Sequence, residues 1–147
     1  MDLSGLKWPI IIVVIVGIGW LGSSSGVNFM FKKFTEGAVG EDVKKDETNE
    51  AGLSRLGGWC LRLFKYKKAL NILETAVQRY PEGKNRFHNE YRMVKCAEKL
   101  KQYKRASGLL YRLISANASQ IDSRVPQNDV LILRREKLVE THELEAR

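Results

Sequence analysis

LSRLGGWCLRLFKYKKALNILETAVQRYP, residues 53–81, decides the fold. Leu53, Leu56, Cys60 and Leu63 recur at i, i+3, i+7 and i+10, which is one face of a helix with about 3.6 residues per turn. After a break at Phe64-Lys65, Ala69, Ile72, Leu73, Ala76 and Val77 make a second stripe of the same period, and Pro81 stops it. A connection this short forces the two helices to run antiparallel.

The pattern continues towards the C-terminus. Tyr91, Met93, Val94, Ala97 and Leu100 mark a third helix, with Asn85 placed to cap its start. Ala106, Leu109, Leu110, Leu113 and Ile114 mark a fourth. The breaks between stripes, Tyr80–Gly83 and Lys101-Gln102, are again short. No segment holds a period of two for long, so the spacing predicts an all-α protein without a sheet. Residues 119–147 read as a loop through Pro126 and then a capping helix over 128–146, with Val130, Leu131, Leu133, Leu138 and Leu144 facing inward. An array of hairpins needs such a cap, because its last apolar face is otherwise left in water.

Leu53-x-x-Leu56-Gly57-x-x-Cys60 resembles the first helix of a tetratricopeptide repeat, and Tyr66-x-x-Ala69-x-x-x-Leu73-x-x-Ala76 up to Pro81 resembles the second. Gly and Ala at these positions let two helices cross closely. A more divergent copy follows: Glu90-x-x-Met93-Val94-x-x-Ala97, then Tyr103-x-x-Ala106-x-x-x-Leu110-x-x-Leu113, with Ala118 where the family has Pro. The resemblance covers residues 51–118. It implies two repeats whose first helices line a groove for a peptide or helix of another protein. Carried over position by position, Arg55, Arg62, Tyr91, Arg92, Lys95 and Lys99 are the partner-binding candidates, beside Ser54, Gly58, Leu61 and His88. The family's carboxylate-clamp members use Lys and Asn at particular groove positions, and Ser54 and Gly58 stand at two of these here, which argues against binding of a chaperone tail.

Outward to the N-terminus the composition changes. Residues 34–50, FTEGAVGEDVKKDETNE, carry six acids and little to bury, and read as a solvated acidic linker. Residues 1–33 read as a single-pass anchor. WPIIIVVIVGIGWLG, residues 8–22, is uncharged, and its helix rises about 22 Å against a hydrocarbon core of roughly 30 Å. Continuation through Ser23–Ser25 to Phe31 closes the gap, with Lys7 and Lys32-Lys33 at the two interfaces. A cleaved signal peptide is the competing reading, with small residues at Gly22-Ser23-Ser24. The Lys distribution around the anchor points to a cytosolic C-terminal domain. Gly17, Gly19 and Gly22 spell G-x-G-x-x-G, but without the preceding strand that a dinucleotide site requires.

The formal charge of +8 is concentrated in one block. Residues 1–33, 34–50, 51–118 and 119–147 carry +2, −4, +11 and −1. A block of +11 favours an acidic protein segment or an anionic membrane surface. Nucleic acid is disfavoured, because the basic face has too few aromatics to stack bases. Cys60 and Cys96 both fall on apolar stripes and read as buried thiols. His88 and His142 stand apart, with no metal-ligand spacing, no catalytic constellation and no cofactor motif around them. The reading is therefore of a non-enzymatic adaptor, or a structural subunit of a larger membrane complex.

Overall fold

The computed structural model describes residues 4–144, and among these it contains helices and no strand. The helices are α1 (Ser4–Gly22), α2 (Ser24–Thr35), α3 (Val43–Arg62), α4 (Tyr66–Arg79), α5 (Arg86–Lys99), α6 (Tyr103–Ser115), α7 (Ala118–Ile121) and α8 (Asn128–Thr141). They form two units, divided between Glu36 and Gly37.

The first unit holds α1 and α2. The expected continuous helix breaks at Ser23, and the two parts meet at 70°. Ser23 is the cause. Its hydroxyl accepts a hydrogen bond from Gly26 N at 3.2 Å, which caps a new helix rather than extending the old one. Gly26 makes the bend possible: a Cβ there would fall 2.8 Å from Leu21 Cα and closer still to Trp20 O. Gly26 therefore serves the bend between α1 and α2. Trp20 and Phe29 face each other across the bend at 6.2 Å. No single helix among the described residues is long and apolar enough to cross a membrane, and α1 and α2 meet that test only as a bent pair.

The second unit is a row of helices. Each packs on the next: α3 on α4, α4 on α5, α5 on α6 and α6 on α8, with α3 also touching α5. The two hairpins α3–α4 and α5–α6 are copies of one another. A shift of 37 residues, from Tyr66 to Tyr103, carries buried Leu56 onto Met93, Cys60 onto Ala97, Ala69 onto Ala106, Leu73 onto Leu110 and Ala76 onto Leu113. The same shift carries Phe64 (φ 58°) onto Lys101 (φ 59°), each in the left-handed region just past its helix. In both turns the next amide reaches back to close the helix end, Lys65 N to Cys60 O and Gln102 N to Ala97 O. Burying each large aliphatic side chain of this row contributes about 1.5–3 kcal/mol.

Two expectations for this unit need correction. The acidic linker is shorter than residues 34–50. Asp42 caps α3 by accepting from the amides of Lys44 and Lys45, so residues 43–50 are helix. Asn49 and Glu50 are buried there. Glu50 is the reason this polar stretch folds: its carboxylate accepts hydrogen bonds from Asn85 N (2.9 Å) and Asn85 Nδ2 (2.7 Å), seating the start of α5. Asn85 holds the capping position of α5, but its side chain serves Glu50 and Arg124 instead of the helix. The second correction concerns α8. Of the apolar residues expected to face inward, only Leu131 is fully buried, while Val130 is 51% and Leu133 68% exposed. Part of its attachment is polar, through Arg134.

Candidate partner-binding face

α3 and α5 run parallel in a fixed register. Glu50 meets Asn85, Ser54 meets Asn89 and Arg92, and Gly58 meets Arg92. The seam between them is polar. Ser54 is buried, and its hydroxyl donates to Asn89 Oδ1 at 2.7 Å. Arg92 Nη1 donates to Ser54 O at 3.0 Å. A Cβ at Gly58 would stand 3.0 Å from Arg92 Cζ, so the absence of a side chain there leaves room for the guanidinium to lie across α3.

Arg92 is therefore held against both helices, and its neighbours are also cations. Burial lowers its pKa from the ordinary arginine value, and the charges of Arg124 and Arg62 lower it further. His88 lies one turn earlier on α5. Its pKa falls to about 4, through burial first and then Arg92 and Arg124, with Asp122 opposing and Lys95 adding a smaller push downward. Its Nδ1 is buried without a hydrogen-bond partner. Arg124 comes from the loop after α7. It pairs with Asp122, whose carboxyl is held below its ordinary range chiefly by Arg124's side-chain hydrogen bonds. It also donates to Asn85 Oδ1 at 2.7 Å and to Lys84 O at 3.2 Å.

The six candidates fall into three groups. Arg92 and Arg62 come within electrostatic reach of each other. Arg55, Lys95 and Lys99 are exposed on the same two helices. Tyr91 departs from expectation. Its hydroxyl accepts from Arg134 Nη1 at 3.1 Å, and the Lys95 ammonium sits 4.8 Å above its ring. Arg134 also makes a forked ion pair with Glu98, through Nε at 2.8 Å and through Nη2. Tyr91 thus helps fasten α8 to α5 and is not a free aromatic anchor.

Arg124 was not legible as part of this face. It lies in a loop outside both repeats, and no local pattern ties it to α5. Ser54 and Gly58 were placed on the groove, but their role in seating Arg92 depends on a partner 38 and 34 residues away (54 to 92, 58 to 92). Among the described residues no group of three or more His, Cys, Asp or Glu is placed to hold a metal ion. A cleft of about 550 Å³ lies elsewhere, between the start of α3 and the turn from Tyr80 to Asn85.

The fold defines an all-helical chain whose second unit is a row of repeated hairpins with a cationic seam. No family model matches the chain, and no curated protein or solved structure matches it either.

Proposed function

We propose that the chain is a membrane-associated adaptor of tetratricopeptide-like build, which holds an acidic segment of another protein on the face formed by α3 and α5. The observation that carries this reading is the seat of Arg92, which lies across α3 against Ser54 and Gly58 while the charges of Arg124 and Arg62 push its pKa down. Like charges at close quarters destabilise a fold, and an acidic partner relieves that repulsion while accepting charge-assisted hydrogen bonds. Exposed Lys95 and Lys99 extend the same face along α5. The membrane part of the reading rests on α1, whose side chains from Ile10 to Val16 are apolar and all exposed. Such a surface is stable in lipid and costly in water.

The test uses exposed cations, because Arg92 also ties α5 to α3. Arg62→Glu combined with Lys95→Glu is expected to abolish recovery of partner proteins from gently solubilised membranes while leaving helicity intact. Lys67→Glu combined with Lys104→Glu, off this face, is expected to leave recovery unchanged. The opposite ranking refutes the assignment.

A second reading, a structural subunit of a membrane complex, is favoured by exposed Val130 and Leu133 on the outer side of α8. Salt separates the two: an electrostatic partner leaves as ionic strength rises, whereas a packed subunit leaves only with detergent.

A further inference from the structure

Because α3 and α5 run parallel, the turns that follow them lie at the same end of the row. Both turns place a residue in the left-handed region, a position that favours glycine. In the first turn that residue is Phe64, and it is 76% exposed. Its ring meets Tyr66 edge-on at 6.2 Å. Leu63, the residue before it, and Trp59, one turn earlier near the end of α3, are each 38% exposed. Residues 51–73 contain five Lys or Arg and no Asp or Glu. The second turn repeats the backbone, with exposed Lys101 in it and exposed Lys104 at the start of α6.

We infer that this end of the row docks on an anionic bilayer surface, with Phe64 at the boundary of headgroups and acyl chains and Lys67 and Lys101 among the lipid phosphates. A protein partner gains most from a desolvated hollow that receives an anchor side chain. A helix-hairpin tip offers a projection instead, which the membrane interface accepts without a matching pocket. Aromatic rings favour that interface, and anionic leaflets attract Lys and Arg close to their surface. The long acid-free stretch leaves nothing near Phe64 in the sequence to repel lipid phosphate. This surface is distinct from the α3–α5 seam, and it does not depend on α1 entering a membrane.

The experiment uses the full chain with Trp8→Phe and Trp20→Phe, which leaves Trp59 as the reporter of the three tryptophans. It is mixed with vesicles of phosphatidylserine and phosphatidylcholine, the latter brominated near the top of its acyl chains. Trp59 emission is expected to shift to the blue and to be quenched. Phe64→Gly is expected to lose the quenching. Gly suits the left-handed backbone, so that loss is not an unfolding artefact. Lys67→Glu with Lys101→Glu, or vesicles of phosphatidylcholine alone, are expected to weaken it. The proposal is overturned if the chain sediments with anionic vesicles and Trp59 stays unquenched, as happens when α1 alone binds. It is also overturned if Phe64→Gly is quenched like its parent, if the lipid charge makes no difference, or if the chain fails to bind the vesicles at all.

Discussion

Two glycines in the helix row answer the same substitution with opposite signs. Gly57 lies inside α3, where a Cβ would stand 2.6 Å from Leu73 Cγ and closer still to its Cδ2. Leu73 is fully buried, and close-packed interiors leave a side chain little room to swing aside. Gly108 lies inside α6, exposed, with nothing within 4 Å of its Cβ position. Replacing glycine by alanine in a helix interior gains about 1 kcal/mol of intrinsic propensity at either site. At Gly108 nothing opposes that gain. At Gly57 the added methyl overpacks the α3–α4 crossing, and where the crossing yields little the cost is in the upper part of the typical range, about 2–3 kcal/mol, leaving a net loss of about 1–2 kcal/mol. For a domain near 100 residues, 1 kcal/mol moves the melting temperature by about 4–8 °C. Gly108→Ala is thus expected to melt roughly 4–8 °C higher than the parent, and Gly57→Ala roughly 5–15 °C lower. Far-ultraviolet circular dichroism melts of the full chain measure both. If Gly57→Ala melts at or above the parent temperature, the packing of α3 on α4 is not as described.

Further outcomes follow from other positions. Ala69→Leu, at a fully buried position of α4, is expected to cost about 1–3 kcal/mol, read from the urea midpoint. His88, at about 4 against an ordinary 6.5, stays neutral in the folded state while the unfolded chain takes up a proton. Its contribution is full above 6.5 and is lost as pH falls towards 4, so the urea midpoint should drop between neutral pH and about 5, and His88→Gln should flatten that slope. Arg134→Ala removes the fork on Glu98 and the bond to Tyr91, at about 1–2 kcal/mol given their partial exposure. Amide exchange should then quicken in α8 and stay unchanged in α3 and α4.

Much of the helix row was legible because its apolar residues recur with one period and its breaks are short. Leu53, Cys60, Leu73 and Leu110 are buried where that period puts them. What was not legible depends on partners far along the chain. Residues 43–50 look like tether because they are polar, and they fold because Glu50 finds Asn85, 35 residues on. The helix expected to run on from Trp20 breaks because Ser23 competes for a backbone amide, a choice that hydropathy does not register. On the candidate face, Arg92 was placed by carrying over the first-helix positions of the repeat it resembles. The use of Tyr91 by Arg134 was invisible, because α8 shows no local sign of where it docks.

The bonds that join α5 to α3 and α8 to α5 span only 35 to 43 residues. A chain leaving the ribosome therefore meets each helix's docking site already made, and the row is able to assemble in the order of its synthesis. Residues 43–79 would wait as an open hairpin until Asn85 emerges, since until then the Glu50 carboxylate lacks the amides that receive it. The nascent protein is then most exposed to misassembly during the few residues that separate the end of α4 from the start of α5. A translational pause placed there would change the yield of folded protein without changing any contact in the finished molecule.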